Sequence, residues 1–401
     1  MKVFLIAGEA SGDRLGGALM AGLETLAPGC RFQGVGGPEM TAQGLVSLFP
    51  MEELSVMGLA EVLPRYVALK RRIRQTAGAI IEAAPDVVIT IDSPDFCLRV
   101  LKLARRALPT LPTVHYVAPS VWAWRPGRAA KMAPLVDHVL ALLPFEPPYM
   151  RAAGMRCDFV GHPVVAEPVA SLQQALDFRA RHGIDAAPML LVLPGSRKGE
   201  VERLAPIFGA ALGRVIAQHP AARVVVPAVA AQAERVRALS ADWPGAPLVL
   251  DAGTVAPEEK QAAFAAADTA LAASGTVSLE LAANRVPMVV AYDFNPLTRF
   301  LIRRLALVDT ATLVNLVSDT RAVPEYLGED CQPALIARTL CQLMAEPAAR
   351  EAQLAAMDLT MDRLGRGGTP PGLRAARSVL DFLASRRGGG QSGSIGPANE
   401  A

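Results

Sequence analysis

Three stretches carry side chains whose types and spacing suit chemistry. The first is Leu190–Leu204, LLVLPGSRKGEVERL. Leu190, Leu191, Val192 and Leu193 read as a short buried strand. Pro194-Gly195-Ser196 breaks it, and a charged run from Arg197 opens a helix. Such a corner presents backbone N–H groups and the positive end of a helix dipole, both of which favour an anion. Arg197 adds a fork of donors that can grip a phosphate in bidentate fashion. The pattern suits a diphosphate; an ordinary strand–helix corner with a solvated arginine is the alternative. The second stretch, Ala270–Glu280, repeats the design with a Ser274-Gly275-Thr276 turn. Glu280 falls one turn into the next helix and could accept from two vicinal hydroxyls, as on a ribose. A capping box needs a spacing of three. Thr276 and Glu280 are four apart, which favours a ligand role. The third is Asp92, at the carboxyl end of the strand pattern PDVVITID. An acid there suits a general base on a hydroxyl; a turn or cap role for Asp92-Ser93-Pro94 is the alternative. Near the N-terminus, Glu9, Ser11 and Asp13 flank Gly12 in a loop that could bind sugar hydroxyls, unless Ser11 or Asp13 caps the following helix.

These residues need elements to hold them. Val3–Ala7 reads as a strand, and Leu15–Leu26 as an apolar-periodic helix. The loop between lacks the G-x-G-x-x-G dinucleotide spacing. Further strands are read at 31–35, 85–92, 113–117, 138–143 and 157–160. The alternation then repeats at 190–193, 224–227, 248–250, 270–273 and 287–292. Two alternating αβ halves predict an α/β chain with two Rossmann-like doubly wound domains facing a cleft. The expected bounds are 1–163 for an N-terminal domain, 164–350 for a second Rossmann-like domain and 351–387 for C-terminal helices. These last helices could return to the chain's own N-terminal domain or to a partner's, which leaves a homodimer open. A glycine-rich tail, 388–401, is expected to be disordered.

Composition narrows the function classes. The 401 residues are 51% hydrophobic and 19% charged, enough for two full cores. A net charge of +2 and 5% aromatic content give no case for nucleic acid. Five scattered cysteines show no zinc spacing and predict no disulfide framework. No apolar run approaches the roughly 18 residues of a membrane span. Met51–Gln75 sets an apolar face of Val56, Met57, Leu59, Val62, Leu63, Val67 and Leu69 beside Arg71, Arg72 and Arg74. That composition suits an interfacial segment on anionic lipid; an amphipathic core helix with a solvated basic face is the alternative. Phe300–Leu307, with Arg299, Arg303 and Arg304, is a second candidate of the same kind. Trp122 and Trp124 could line an acyl or sugar site or pack beneath the sheet edge. His115 is expected to be buried and hydrogen-bonded.

Taken together, the motifs resemble one family. GEASGD (8–13), IDSPDF (91–96), HYVAPSVWAWR (115–125), LPFE (143–146), FVGHP (159–163), LPGSR (193–197) and ASGT (273–276) are similar to the lipid-A-disaccharide synthases. The resemblance implies an inverting glycosyltransferase of GT-B architecture that needs no metal or other cofactor, with 1–163 as the acceptor-lipid domain and 164–350 as the UDP-sugar domain. It would move 2,3-diacylglucosamine from UDP to the 6-hydroxyl of 2,3-diacylglucosamine 1-phosphate (lipid X), on the route to lipopolysaccharide. The work would be done at the cytoplasmic face of the inner membrane. The family's nucleotide site falls on Arg197, Thr276, Glu280 and Asn315, and its acid/base on Asp92. Val314 stands where the family often has proline. A UDP-sugar epimerase, another GT-B transferase and a non-catalytic nucleotide-sugar or lipid-binding protein are the rivals.

Overall fold

β1 (Lys2–Ala7), β2 (Arg31–Val35), β3 (Val46–Ser47), β4 (Val87–Ile91), β5 (Thr113–Tyr116), β6 (His138–Ala141) and β7 (Arg156–Phe159) form one sheet. The computed structural model describes residues 1–54, 59–295, 299 and 304–388, with the side chains of 59–66 and 388 outside that description. Every pairing in the sheet is parallel, in the order β3-β2-β1-β4-β5-β6-β7. A second parallel sheet joins β8 (Met189–Leu193), β9 (Arg223–Ala228), β10 (Leu248–Asp251), β11 (Thr269–Ala272), β12 (Met288–Tyr292) and β13 (Glu325–Leu327), in the order β10-β9-β8-β11-β12-β13. Central strands such as VVITI (β4) and MLLVL (β8) are buried at every residue. That continuous apolar pattern belongs to strands covered on both faces. The helix Lys198–Gln218 meets its sheet with Val201, Leu204, Ala205, Phe208, Ala211, Leu212 and Val215, a 3.6-residue stripe.

The chain divides into two compact units, Met1–Pro163 with Gly368–Ala401, and Val164–Gly367. The segment expected as one C-terminal piece, 351–387, is therefore shared between them. Helix Pro347–Leu364 stays with the second unit. Gln353 Oε1 accepts from Met288 N–H (2.8 Å), and Arg363 Nη1 donates to Val317 O (2.6 Å). Helix Pro371–Gly388 packs on its own chain's first unit, against helix Ala10–Leu26. The two backbones approach closely: a Cβ on Gly22 would lie 2.8 Å from Gly372 O, and one on Gly372 would lie 2.6 Å from Ala18 O. Polar bonds complete the docking. Arg374 Nη2 donates to Phe159 O (2.9 Å), and Ser378 Oγ donates to Asp158 Oδ2 (2.8 Å) beside His138. Tail residues 389–401 lie outside the described residues.

The stretch Met51–Gln75 spans two described elements. Met51–Leu54 is a single 3₁₀ turn, and the helix runs Leu59–Ala83. No helix among the described residues is long and apolar enough to cross a membrane. None of the five cysteines is in a disulfide.

His115 is buried within the first sheet and shares a 2.7 Å hydrogen bond with Thr90 Oγ1. Burial pushes its pKa, and those of His138 and His162, down from 6.5 to about 4. Between those values the unfolded chain takes up protons that the native chain refuses, so stability falls as pH drops from about 6.5 to about 4. His115→Gln keeps a partner for Thr90 and removes one titrating group. Its thermal midpoint should fall less steeply than the parent's across that window, as read by calorimetry. A slope equal to the parent's would show that His115 carries none of the effect.

Candidate functional site

Loops at the carboxyl edge of a parallel sheet part where the strand order reverses, and ligands bind there. In the second sheet this point lies between β8 and β11. A pocket of about 420 Å³ opens at it. One wall is Gly195, Ser196 and Arg197 after β8, and another is Ser274, Gly275 and Thr276 after β11. Pro227, Val229, Leu250, Ala252, Val255 and Phe264 supply an apolar side wide enough for a flat ring. Glu280 reaches the pocket from the helix Val277–Ala283, and Lys260 from Pro257–Ala266. The structure thus brings seven of the eight residues expected for the nucleotide into one cavity.

Asn315 is the exception. It is only 1% exposed and is absent from the pocket lining. Its Nδ2 donates to Val323 O (2.9 Å), and its Oδ1 accepts from Val323 N–H (3.0 Å). This amide clasp holds the turn that enters β13. Val314, just before it, is a buried helical residue whose carbonyl accepts from Ser318 and Thr360.

The corner at Arg197 also differs from an open anion cradle. Gly195 has φ +113°, a conformation natural only to glycine, and a Cβ there would fall 2.7 Å from Glu200 Cβ. The Glu200 carboxylate fills the helix start, accepting from Ser196 N–H (3.1 Å) and Arg197 N–H (3.2 Å). Tyr292 hydroxyl donates to its other oxygen (3.1 Å). Burial first, and then the Glu200 charge, push the Tyr292 phenol up to about 12, so it stays a donor. The Arg197 side chain is 64% exposed and makes one long contact to Glu200 (3.4 Å). Lys260 Nζ donates to Glu280 Oε2 at 2.6 Å, which orients that carboxylate from one side. Lys260 escapes a reading of the sequence because no local motif marks it; the sheet order alone sets it opposite Glu280. Glu200 had a signal, an acid three residues into a helix.

In the first sheet the reversal lies between β1 and β4. Asp92 (φ +51°) and Ser93 (φ +42°) follow β4 in successive left-handed conformations. Such strain in non-glycine residues is found at functional sites. The loop after β1 stands alongside: a Cβ on Gly8 would lie 2.5 Å from Ser93 Oγ. This places Asp92 near the Glu9 and Ser11 corner, with Ser11 exposed and Glu9 half-buried. Gly12 is buried against Ala7 and Ile91. Asp13 has a different task from the expected hydroxyl contact. It is 2% exposed and accepts from Gly37, Glu39 and Met40 N–H (2.8, 2.9 and 3.1 Å), capping the helix Pro38–Ala42. The two tryptophans separate. Trp124 is exposed beneath the Arg125 guanidinium (4.0 Å), while buried Trp122 donates to Glu146 Oε1 (3.3 Å). Burial pushes the Glu146 carboxyl up to about 7, against the hydrogen bonds from Leu143, Trp122 and Leu142 that lower it.

On helix Leu59–Ala83, Val67 is 77% exposed, and Lys70, Arg71 and Arg74 are exposed with it. Leu69 turns inward on the core. Arg72 is also held in: it donates twice to Glu53 (2.7 and 2.5 Å) and covers the Phe49 ring at 4.4 Å. It therefore leaves the proposed lipid face. Val56 and Met57, and the side chains of Leu59, Val62 and Leu63, lie outside the described residues. So do Phe300 and Arg303 of the second basic stretch, where Arg299 pairs with Asp293 (2.6 Å). Among the described residues no group of three or more His, Cys, Asp or Glu could hold a metal ion.

The fold is shared with solved structures of low sequence identity. Neisseria meningitidis UDP-GlcNAc 2-epimerase, solved with UDP-GlcNAc, superposes with a TM-score of 0.62 at 12% identity, over 96% of this chain and 100% of that one. Acinetobacter baumannii MurG superposes with a TM-score of 0.54 at 15% identity, over 96% and 99%. At such identity they establish the GT-B architecture alone. Sequence relatives say more. The lipid-A-disaccharide synthase of Ruegeria pomeroyi is 63% identical over 387 residues, 96% of each chain. That of Rhodospirillum centenum is 50% identical over 388 residues, again 96% of each. A family model described as lipid-A-disaccharide synthetase matches residues 3–366. The chain therefore belongs to the lipid-A-disaccharide synthase family, glycosyltransferases that join the two lipid A precursors.

Proposed function

We propose that the protein transfers 2,3-diacylglucosamine from its UDP ester to the 6-hydroxyl of lipid X, with inversion, giving the β-1,6-linked disaccharide 1-phosphate and UDP. The observation that carries this reading is the pocket of the second unit. It sets Arg197 and Lys260, two cations, with Glu280 around an apolar wall at a sheet reversal. The base lies against that wall, Glu280 accepts from ribose hydroxyls, and Arg197 grips the diphosphate. As the bond from the anomeric carbon to phosphate oxygen breaks, charge grows on the leaving UDP. Fixed cations at that place lower the barrier. The acceptor belongs to the first unit. There Asp92 takes the proton from the 6-hydroxyl as its oxygen bonds to the anomeric carbon, with Glu9 and Ser11 orienting the sugar. One C–O bond forms as one breaks, and no covalent enzyme intermediate is required.

Both substrates carry acyl chains. We assign the protein a peripheral place on the anionic cytoplasmic face of the inner membrane, through Val67, Lys70, Arg71 and Arg74 of helix Leu59–Ala83. A protruding apolar residue among basic ones is the composition of such a surface.

Incubation with UDP-2,3-diacylglucosamine and lipid X should release UDP and disaccharide together. UDP binding without release would favour a non-catalytic carrier. Arg197→Ala should lose about 2.7–4 kcal/mol of transition-state stabilisation, read as kcat/KM. Near-normal turnover would remove Arg197 from the diphosphate. Asp92→Asn should keep its UDP affinity and lose most turnover; an unchanged rate clears Asp92 of the base role. Reversing Arg71 and Arg74 to Glu should cut co-sedimentation with phosphatidylglycerol vesicles while leaving the Arg72–Glu53 pair intact. Equal sedimentation would place the lipid surface elsewhere.

A further inference from the structure

We propose that Glu200 competes with the nucleotide diphosphate for one anion position and so weakens the hold of the pocket on its UDP product. The inference rests on the reading of this pocket as the nucleotide site. Glu200 lines the cavity beside Gly195, Ser196 and Arg197. Its Oε2 accepts from the N–H groups of Ser196 and Arg197, and its Oε1 from the hydroxyl of Tyr292. Those two N–H groups are the donors that a strand–turn–helix corner offers to a phosphate. They cannot serve a carboxylate and a phosphate at full strength together, and the two anions repel at contact distance.

The carboxylate has a built seat. The hydroxyl of Tyr292, at the end of β12, anchors it from one side. Gly195 leaves the room it occupies, since a Cβ there would meet Glu200 Oε2 at 2.8 Å. Only 13% of the Glu200 side chain is exposed, so its charge faces the pocket with little screening by water. Phosphate entry must displace or crowd a resident anion. A transferase ends each cycle holding UDP, and release of product sets many turnover rates. A resident anion lowers the affinity for UDP and leaves contacts to uridine untouched.

The sign of the effect separates this role from that of a loop brace. Calorimetric titration of the full chain with UDP and with uridine tests it, using Glu200→Gln and Tyr292→Phe. Glu200→Gln should bind UDP about tenfold more tightly, equivalent to about 1.4 kcal/mol, with uridine affinity unchanged. Tyr292→Phe, which removes one anchor of the carboxylate, should shift UDP affinity in the same direction by less. UDP binding equal to or weaker than the parent's in Glu200→Gln makes Glu200 a brace and overturns the proposal. So does an equal gain for uridine. If Glu200→Gln does not fold, Tyr292→Phe decides alone, and unchanged or weaker UDP binding overturns it. A parent protein that binds neither ligand instead refutes the nucleotide reading on which the proposal stands.

Discussion

Every strand among the described residues runs parallel to its neighbours, and that constraint decides where chemistry can be assembled. Parallel strands need crossover connections, so all their carboxyl ends open on one edge of the sheet. Adjacent loops part there only where the strand order reverses. The reversals fall between β1 and β4 and between β8 and β11. Asp92 with the Gly8–Ser11 loop occupies the first, and the Arg197 and Thr276 loops with Glu280 occupy the second. Glu280 and Lys260 are 20 residues apart in sequence yet meet at 2.6 Å, because their helices follow β10 and β11, whose carboxyl ends open on the same edge of one parallel sheet.

Charge in the second pocket is nearly balanced. Arg197 and Lys260 face Glu200 and Glu280. The Arg197 guanidinium is mostly in water, so its long contact to Glu200 contributes little to stability. That leaves it available to an incoming anion. Lys260 is held closer to its partner, and excluding water around a bound nucleotide would strengthen both cations. Elsewhere arginines are consumed by structure. Arg179 donates to Ala266 O, Ala187 O and Asp268, tying β8 to its neighbours, and Arg72 clamps a turn through Glu53.

The first unit shows how a polar core can be built without catalytic intent. Ser378, His138 and Asp158 lie together, but Ser378 and Asp158 both approach the same nitrogen, Nε2 of His138. A nucleophilic triad needs the acid on the opposite ring nitrogen. The cluster serves instead to seat the last helix. Glu146 plays a comparable part for the loops after β5 and β6, joining Trp122 to Leu142 and Leu143.

What the sequence determined by itself was local. PDVVITID and LLVL announce central strands because a strand covered on both faces is apolar throughout. LPGSR announces a strand–helix corner because glycine alone is at ease at φ +113°. Alternation of such patterns specifies two doubly wound units, and the ordered motifs point to the family. Partners across long sequence separations were decided only in three dimensions. The same aspartate type binds three backbone N–H groups at position 13 and stands at a strained corner at position 92. Neighbouring arginines, 71 and 72, differ as solvated and clamped. Asn315, a ligand candidate by its motif, finds both its amide partners on a residue eight positions away. Periodicity and turn residues report what a residue requires of its own backbone. Which groups satisfy its side chain depends on strand order and helix docking, and these exist only in the folded chain.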